Sequence, residues 1–246
     1  SLLGSSPTSG FSARSLDKNR VKSRLKKFIT RRPSLKTLQE KGLIKDQIFG
    51  SHLHTVCERE NSTVPRFVKQ CIEAVEKRGL DVDGIYRVSG NLATIQKLRF
   101  IVNQGNCSIS PRVFPEEKLN LDDSQWEDIH VVTGALKMFF RELPEPLFPY
   151  SFFQRFVEAI SKIETIKSLV QKLPPPNRDT MKILFGHLTK ASKNLMSTQS
   201  LGIVFGPTLL RAEDEMGNMA IHMVYQNQIA ELMLSEYNTI FGSEEA

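Results

Sequence analysis

Cysteine is scarce in this chain, and no apolar run approaches the roughly 20 residues that a helix needs to span a bilayer. The three cysteines, Cys57, Cys71 and Cys107, are widely spaced and odd in number. This pattern fits a reducing compartment better than a disulfide framework. The N-terminal residues are rich in serine, glycine and proline, without the basic and then apolar segments of a signal peptide. We therefore expect a cytoplasmic protein.

The motifs of several enzyme classes are also missing. The sequence has no GxxxxGKS/T motif for a nucleotide-binding P-loop and no GxSxG motif for a serine hydrolase. Its five histidines form no HExxH motif and are not paired with cysteines at zinc-binding spacing. We therefore predict no metal site and no cofactor of the chain's own.

The net charge of +6 is concentrated near the N-terminus. Residues 18–36 contain nine lysines and arginines and no acidic residue, whereas residues 37–246 have a net charge of −3. This local cluster argues against a broad nucleic-acid surface. Apolar residues recur at helical spacing within it, which predicts a basic amphipathic helix that binds anionic membrane lipid. A solvated linker to a preceding domain is the alternative.

Helical periodicity dominates from about residue 49 onward. Pro65 is suited to begin one helix, and Asn91 and Ser124 are suited to cap two more. Convincing period-2 alternation is absent. The fold class is therefore predicted to be all-α, a single-domain helical bundle over residues 49–246 that follows a basic arm or linker over residues 1–48. Further helical patterns cover about residues 151–172, 178–191, 198–210 and 219–240.

An arginine stands in a loop that is bounded by glycines. The loop reads DGIYRVSG over residues 83–90, with Arg87 among apolar and aromatic neighbours. Glycines allow a chain to turn sharply and to project a side chain. Arg87 could cap carbonyl groups at the end of a helix, or it could offer its charge to the phosphates of a partner.

Two further cations lie on one predicted helix. Lys137 and Arg141 are four residues apart in the segment LKMFFR, so they share a helix face. A solvated basic strip is the simpler interpretation of this pair. A charged surface beside the Arg87 loop is the other.

Three segments together resemble the Rho GTPase-activating protein (RhoGAP) domain family. They are GIYRVSG at 84–90, LKMFFRELPEPL at 136–147 and LGIVFGPTLL at 201–210. The resemblance implies a helical bundle of the RhoGAP type that accelerates GTP hydrolysis by a Rho-family small GTPase, with a Rac-type partner preferred. It also implies that the chain is an activator without cofactors, because GTP and Mg²⁺ belong to the partner. The arm and the C-terminal segment resemble a subfamily whose members carry a PH domain before the GAP domain.

The resemblance also implies roles for individual residues. Arg87 matches the arginine finger, and Lys137 matches a lysine that binds the GTPase and holds the finger loop. Arg141 matches an arginine one turn later that supports this loop. Thr208 and Asn227 match polar positions of the GTPase interface, although many members have asparagine where Thr208 stands. We expect Lys137 and Arg141 on one exposed helix face close to the finger loop.

The chain departs from the family in three places. Residues 105–115 look like an insertion, and the chain looks short near Lys162 and near Lys190. Either the chain is a variant form or residues are missing at the short places.

Two rival functions remain open. The domain could bind a GTPase without activating it, or the basic arm could bind membranes while the body serves as a scaffold.

Overall fold

The structure, a computed structural model, describes residues 47–104, 119–191, 196–211, 213 and 219–242. Within these ranges the chain forms ten α-helices and a short 3-10 helix, Ser124–Trp126, and no β-strand. The predicted all-α fold is therefore confirmed. The α-helices are α1 (Leu53–Arg59), α2 (Arg66–Arg78), α3 (Leu92–Gln104), α4 (Ile129–Arg141), α5 (Tyr150–Glu158), α6 (Ile163–Gln171), α7 (Pro175–Ala191), α8 (Thr198–Leu209), α9 (Met219–Ser235) and α10 (Tyr237–Phe241).

The chain divides into two compact units, residues 1–45 and 46–246. The first unit lies outside the described residues, as does the basic segment 18–36. The lipid-binding helix, and the placement of the arm over residues 1–48, therefore stay predictions. The insertion over residues 105–115 also lies outside the described part of the chain.

Two helix starts follow from the sequence as predicted. Pro65 immediately precedes α2, whose apolar face is buried in the core. Asn91 caps α3, because its Oδ1 accepts a hydrogen bond from the N–H of Thr94 at 3.2 Å. The buried residues of α2 are Phe67, Val68, Cys71, Ile72, Ala74 and Val75.

The start of α4 differs from the prediction that Ser124 caps one long helix. The carboxylate of Asp123 accepts a hydrogen bond from the N–H of Gln125 and begins only the 3-10 turn. A second cap follows, in which Asp128 accepts from the N–H of His130 at 2.9 Å and begins α4. Each aspartate satisfies unpaired N–H groups at its own helix start, so the predicted helix divides in two.

Two other predicted stretches also divide. The stretch 151–172 forms α5 and α6, and the stretch 219–240 forms α9 and α10. Apolar residues on both sides of the first break pack against the same core, among them Val157, Ile160 and Ile163. Periodicity alone therefore could not locate the break. Lys162 is the N-cap of α6, and Lys190 lies in the last turn of α7, and both interpretations of the places that look short stay predictions.

Helix α4 positions the functional site. It packs against α2, α3 and α8, and its apolar side chains Leu136, Phe139 and Phe140 are fully buried. Helices α8 and α9 pack closely side by side. A Cβ atom at Gly206 would lie 2.8 Å from the backbone nitrogen of Asn227, so α8 needs a glycine at this contact.

Candidate functional site

The loop over residues 83–90, which we call the finger loop, projects Arg87 from the bundle. Gly84 and Tyr86 both have left-handed backbone conformations, with φ of +66° and +71°. The N–H groups of Arg87 and Val88 both donate to the carbonyl of Gly84 at 2.9 Å and close a tight turn. Positive φ is costly for a residue other than glycine, so the rest of the structure must hold Tyr86 in place.

Arg87 is exposed, and its guanidinium forms no hydrogen bond or ion pair with any residue that the structure describes. The alternative that Arg87 caps a helix is therefore wrong for this part of the chain. Arg78 is the arginine that caps carbonyl groups here: it donates to the carbonyls of Leu121, Trp126 and Glu127 around the 3-10 helix. Arg87 remains available to a partner.

Lys137 holds the finger loop from below. Its Nζ donates to the carbonyl oxygen of Tyr86 at 2.5 Å. The expectation that Lys137 lies on an exposed face is wrong, because only 6% of the residue is accessible to solvent. Lys137 lies on the core-facing side of α4, and its ammonium group is covered by the finger loop. Burial, and then the nearby charge of Arg141, lower the pKa of Lys137 to about 8.

Arg141 lies one turn further along α4 and is exposed, as expected. Its Nε donates to Thr208 Oγ1 on α8 at 3.4 Å. Arg211 closes the end of α4 by donating to the carbonyls of Arg141 and Leu143. These contacts tie the two helices together beside the finger loop.

Thr208 and Asn227 are less exposed than Arg87 and Arg141. Thr208 is buried in the wall of the cleft, where its hydroxyl donates to the carbonyl of Val204 at 3.1 Å and accepts from Nε of Arg141. Asn227 is half-buried against Gly206 on α8, and its Oδ1 has no hydrogen-bond partner in the described structure. A direct contact of either side chain with a partner stays a prediction.

A cleft of about 490 Å³ opens beside the finger loop. Four of its lining residues are cationic, and none of those that the structure describes is acidic. Its apolar wall includes Ile203, which is 56% exposed. Such a surface attracts an anionic and partly apolar partner. The cationic lining residues are Arg87, Lys137, Arg141 and Arg211.

A second set of exposed apolar side chains lies on α9. Large apolar side chains are exposed along its first two turns, an arrangement unusual for a surface without a partner. Sequence analysis did not single out these residues, because it gave this segment only as a helical pattern over residues 219–240. They are Met219, Ile221, Met223 and Val224.

Sequence analysis also missed a polar cluster behind the finger loop, in which Tyr86 and His187 are buried. The hydroxyl of Tyr86 lies 2.5 Å from His187 Nε2, and His187 Nδ1 lies 3.0 Å from a carboxylate oxygen of Glu76. Lys190 forms an ion pair with the same carboxylate at 3.1 Å. Tyr86 and Glu76 each lie more than 100 positions from His187 along the chain, so no local motif connects them to it.

Within the described residues, no group of histidine, cysteine, aspartate and glutamate side chains could hold a metal ion. In the same part of the chain, no helix is both long enough and apolar enough to cross a membrane. The two cysteines that the structure describes, Cys57 and Cys71, are buried and free.

Comparison with known families identifies the class of protein. The RhoGAP domain model matches residues 65–214, which include the finger loop, α4 and α8. The chain therefore belongs to the RhoGAP domain family, as the three sequence segments indicate.

Individual relatives place the chain within this family. It is 82% identical over 239 residues to Rho GTPase-activating protein 15 of Mus musculus, an alignment that covers 93% of this chain and 47% of the relative. It is 58% identical to Rho GTPase-activating protein 12 of Homo sapiens, with 93% of this chain and 27% of the relative covered. The chain thus spans about half the length, or less, of these relatives.

Solved structures agree with this assignment. The fold matches the crystal structure of human Rho GTPase activating protein 15 with a TM-score of 0.76 and 85% identity, covering 86% of this chain and 100% of that chain. It also matches the BH domain of GRAF, the GTPase regulator associated with focal adhesion kinase. That match has a TM-score of 0.60 and 34% identity, and covers 72% of this chain and 93% of that chain.

Proposed function

We propose that this chain activates GTP hydrolysis by a Rho-family small GTPase, and that Arg87 is the arginine finger it inserts into the partner's nucleotide site. The observation that carries the proposal is the contrast between Arg87 and its neighbour Tyr86. Arg87 is exposed and unpaired in the described structure, while the backbone of Tyr86 is held from below by buried Lys137. A free guanidinium on an anchored loop can be presented to a phosphate with little loss of conformational freedom.

The chemistry follows from the charge that develops during hydrolysis. Negative charge spreads over the oxygens of the transferring phosphoryl group, and a guanidinium supplies a permanent positive charge with a planar set of donors. An arginine finger supplied in trans raises the turnover of Ras-type GTPases by about 10³ to 10⁵, a value from that system. This corresponds to roughly 4–7 kcal/mol of barrier. GTP and Mg²⁺ come with the partner, and this chain contributes the arginine as an activator.

The surroundings of Arg87 support docking of such a partner. Arg141 and Arg211 add positive charge beside the finger loop, and Ile203 adds an exposed apolar contact. A GTPase that carries bound nucleotide and Mg²⁺ presents acidic and polar groups around its phosphates. Complementary charge steers the encounter, and the apolar contacts prolong the complex.

The choice of partner and the place of action are further proposals. We propose a Rac-type GTPase as the preferred partner, and action in the cytoplasm with recruitment to anionic membrane through residues 18–36. Single-turnover hydrolysis measured across a panel of Rho-family GTPases tests the preference. Sedimentation with anionic liposomes at low and high salt tests the recruitment, since electrostatic binding weakens as salt rises.

The decisive experiment for the finger compares two arginine-to-alanine variants. Arg87→Ala should lower the stimulated single-turnover rate by about 10² to 10⁵ while affinity for the GTP-bound partner changes little, because the arginine acts mainly in the transition state. Arg66→Ala is the matched control. Arg66 is an exposed arginine in the first turn of α2, and the length of the helix, roughly 20 Å, separates it from the end that leads into the finger loop.

Two results would contradict this account. If Arg87→Ala stimulates hydrolysis as well as Arg66→Ala, Arg87 is not the finger. If the unmodified chain binds the GTP-loaded partner and leaves its hydrolysis rate unchanged, the domain is a binding module without activity.

A further inference from the structure

The side chain of Tyr86 extends into the core, directly opposite to the exposed Arg87. Tyr86 is fully buried, and its ring packs edge-on against Phe205 on α8 with ring centroids 5.2 Å apart. Its hydroxyl reaches His187 on α7. Since Tyr86 also has a left-handed backbone, the position of Arg87 depends on what holds this buried side chain.

The proton positions in the cluster follow from its chemistry. Burial by itself would raise the pKa of Glu76, but hydrogen bonds from His187 and Lys190 together lower it below its usual value, so Glu76 is an ionised acceptor. His187 Nδ1 must therefore carry the proton that is donated to Glu76. Burial lowers the pKa of His187, against the opposing effect of Glu76, and keeps the ring neutral. His187 Nε2 is then an acceptor, and the hydroxyl of Tyr86 donates to it.

The groups that face His187 come from three elements. Glu76 approaches from α2, Tyr86 from the finger loop, and Lys190 from α7 itself. The fixed charges in this set are one carboxylate and one ammonium group, which pair with each other at 3.1 Å. The cluster is therefore balanced in charge when His187 is neutral.

We propose that the hydrogen-bonded chain from buried Tyr86 through buried His187 to half-buried Glu76 positions the finger loop, with His187 as the acceptor that fixes Tyr86 and thereby Arg87. This inference rests on the proposed function of Arg87 and adds three positioning residues to it. None of the three touches the nucleotide. They act by holding the residue next to the finger in a conformation that it would not adopt by itself.

The first test removes one hydroxyl group. In single-turnover assays with a GTP-loaded Rho-family GTPase, Tyr86→Phe should lower the maximal stimulated rate by about 10- to 100-fold, because a small misplacement of a catalytic group is enough for such a loss. The concentration of the chain that gives half the maximal rate should not change. Tyr237→Phe is the matched control, since the hydroxyl of half-buried Tyr237 also donates within the bundle, to the carbonyl of Lys182 at 3.2 Å, and Tyr237 lies outside the cleft.

A second pair of variants separates positioning from loss of stability. His187→Gln retains an amide that can accept from the hydroxyl of Tyr86, whereas His187→Leu cannot. The glutamine variant should keep most of the maximal rate and the leucine variant should lose it, at a temperature where thermal melts show that both are folded. Equal rates for the two variants would overturn the inference, and so would a Tyr86→Phe rate equal to that of Tyr237→Phe.

Inclusion of Arg87→Ala in the same series distinguishes the two proposals. If Arg87→Ala abolishes stimulation while Tyr86→Phe keeps the full rate, the finger stands and the positioning chain is wrong. If Arg87→Ala keeps the full rate, Arg87 is not the finger, and the positioning inference that rests on it is wrong as well. Nitrogen-15 chemical shifts of the His187 ring at pH 7 give an independent check. They should show a protonated Nδ1 and an unprotonated Nε2, and the reverse tautomer would also overturn the inference.

Discussion

Replacement of buried Lys137 by methionine should reduce activity without reducing stability. The two side chains have similar lengths, so Lys137→Met fills the same space beneath the finger loop. The substitution removes a charge whose pKa is lowered from 10.5 to about 8 in the folded chain. It also leaves the carbonyl of Tyr86 without the donor that it now has at 2.5 Å.

The size of the stability effect follows from these two changes. Because the pKa of Lys137 falls from 10.5 to about 8 on folding, its protonated form destabilises the folded state by about 3 kcal/mol at pH 7. Loss of the hydrogen bond to Tyr86 costs about 1–3 kcal/mol in the opposite direction. The two effects oppose each other, so at pH 7 we expect the free energy of unfolding of Lys137→Met to equal that of the unmodified chain or to exceed it by up to about 2 kcal/mol.

The direction in which stability changes with pH follows from the lowered pKa of Lys137. Between pH 8 and pH 10.5 the unfolded chain still holds the Lys137 proton while the folded chain has released it. The unmodified chain should therefore gain stability relative to Lys137→Met as pH rises through this window, by up to about 3 kcal/mol. Urea denaturation of both proteins at pH 7, 8.5 and 10 measures the difference.

Activity provides the second measurement. Without the Lys137 hydrogen bond the strained Tyr86 backbone is free to relax, so the stimulated single-turnover rate should fall about 10- to 100-fold. Lys77→Met is a suitable control, because Lys77 forms an exposed ion pair with Asp122 on the surface of α2. A full rate for Lys137→Met would show that Lys137 does not hold the loop. A stability difference that stays constant with pH would show that Lys137 is not a strained buried charge.

Three other predictions concern neighbouring parts of the site. Arg87→Lys should recover little of the rate lost in Arg87→Ala, because an ammonium group lacks the planar fork of the guanidinium, and the same hydrolysis assay measures it. Gly206→Ala should destabilise the fold by about 1–3 kcal/mol in urea denaturation, because its Cβ would lie 2.8 Å from the α9 backbone. Thr208→Val should weaken affinity for the GTP-bound partner in an equilibrium titration, because Arg141 loses the acceptor for its Nε; wild-type affinity would count against that role.

Several features could be predicted from local sequence. The helix start near Pro65, the cap at Asn91, the apolar face of α2 and the absence of strand periodicity depend on neighbours a few residues away, so the sequence displays them directly. The three segments that resemble the RhoGAP family were enough to assign the family. They could not locate the breaks at the ends of α5 and α9, because apolar periodicity continues across a break when both halves pack on the same core.

Burial could not be predicted in the same way. Lys137 and Thr208 are polar, and sequence reasoning placed both on the surface. Lys137 is buried because the finger loop, which precedes it by about 50 residues, folds over α4 and supplies a carbonyl acceptor. Thr208 is buried because α8 packs against α4 at the position of Arg141.

The sequence by itself determined that the chain is helical, that it belongs to the RhoGAP family and that Arg87 is the candidate finger, because short contiguous segments encode all three. Only the tertiary structure decided which side chains surround Tyr86, the residue next to Arg87. Lys137, His187 and Glu76 come from α4, α7 and α2, and they meet behind Tyr86 only when the helices pack. Hydrogen bonds between residues so far apart in the chain depend on the geometry of the whole bundle, which no local pattern records.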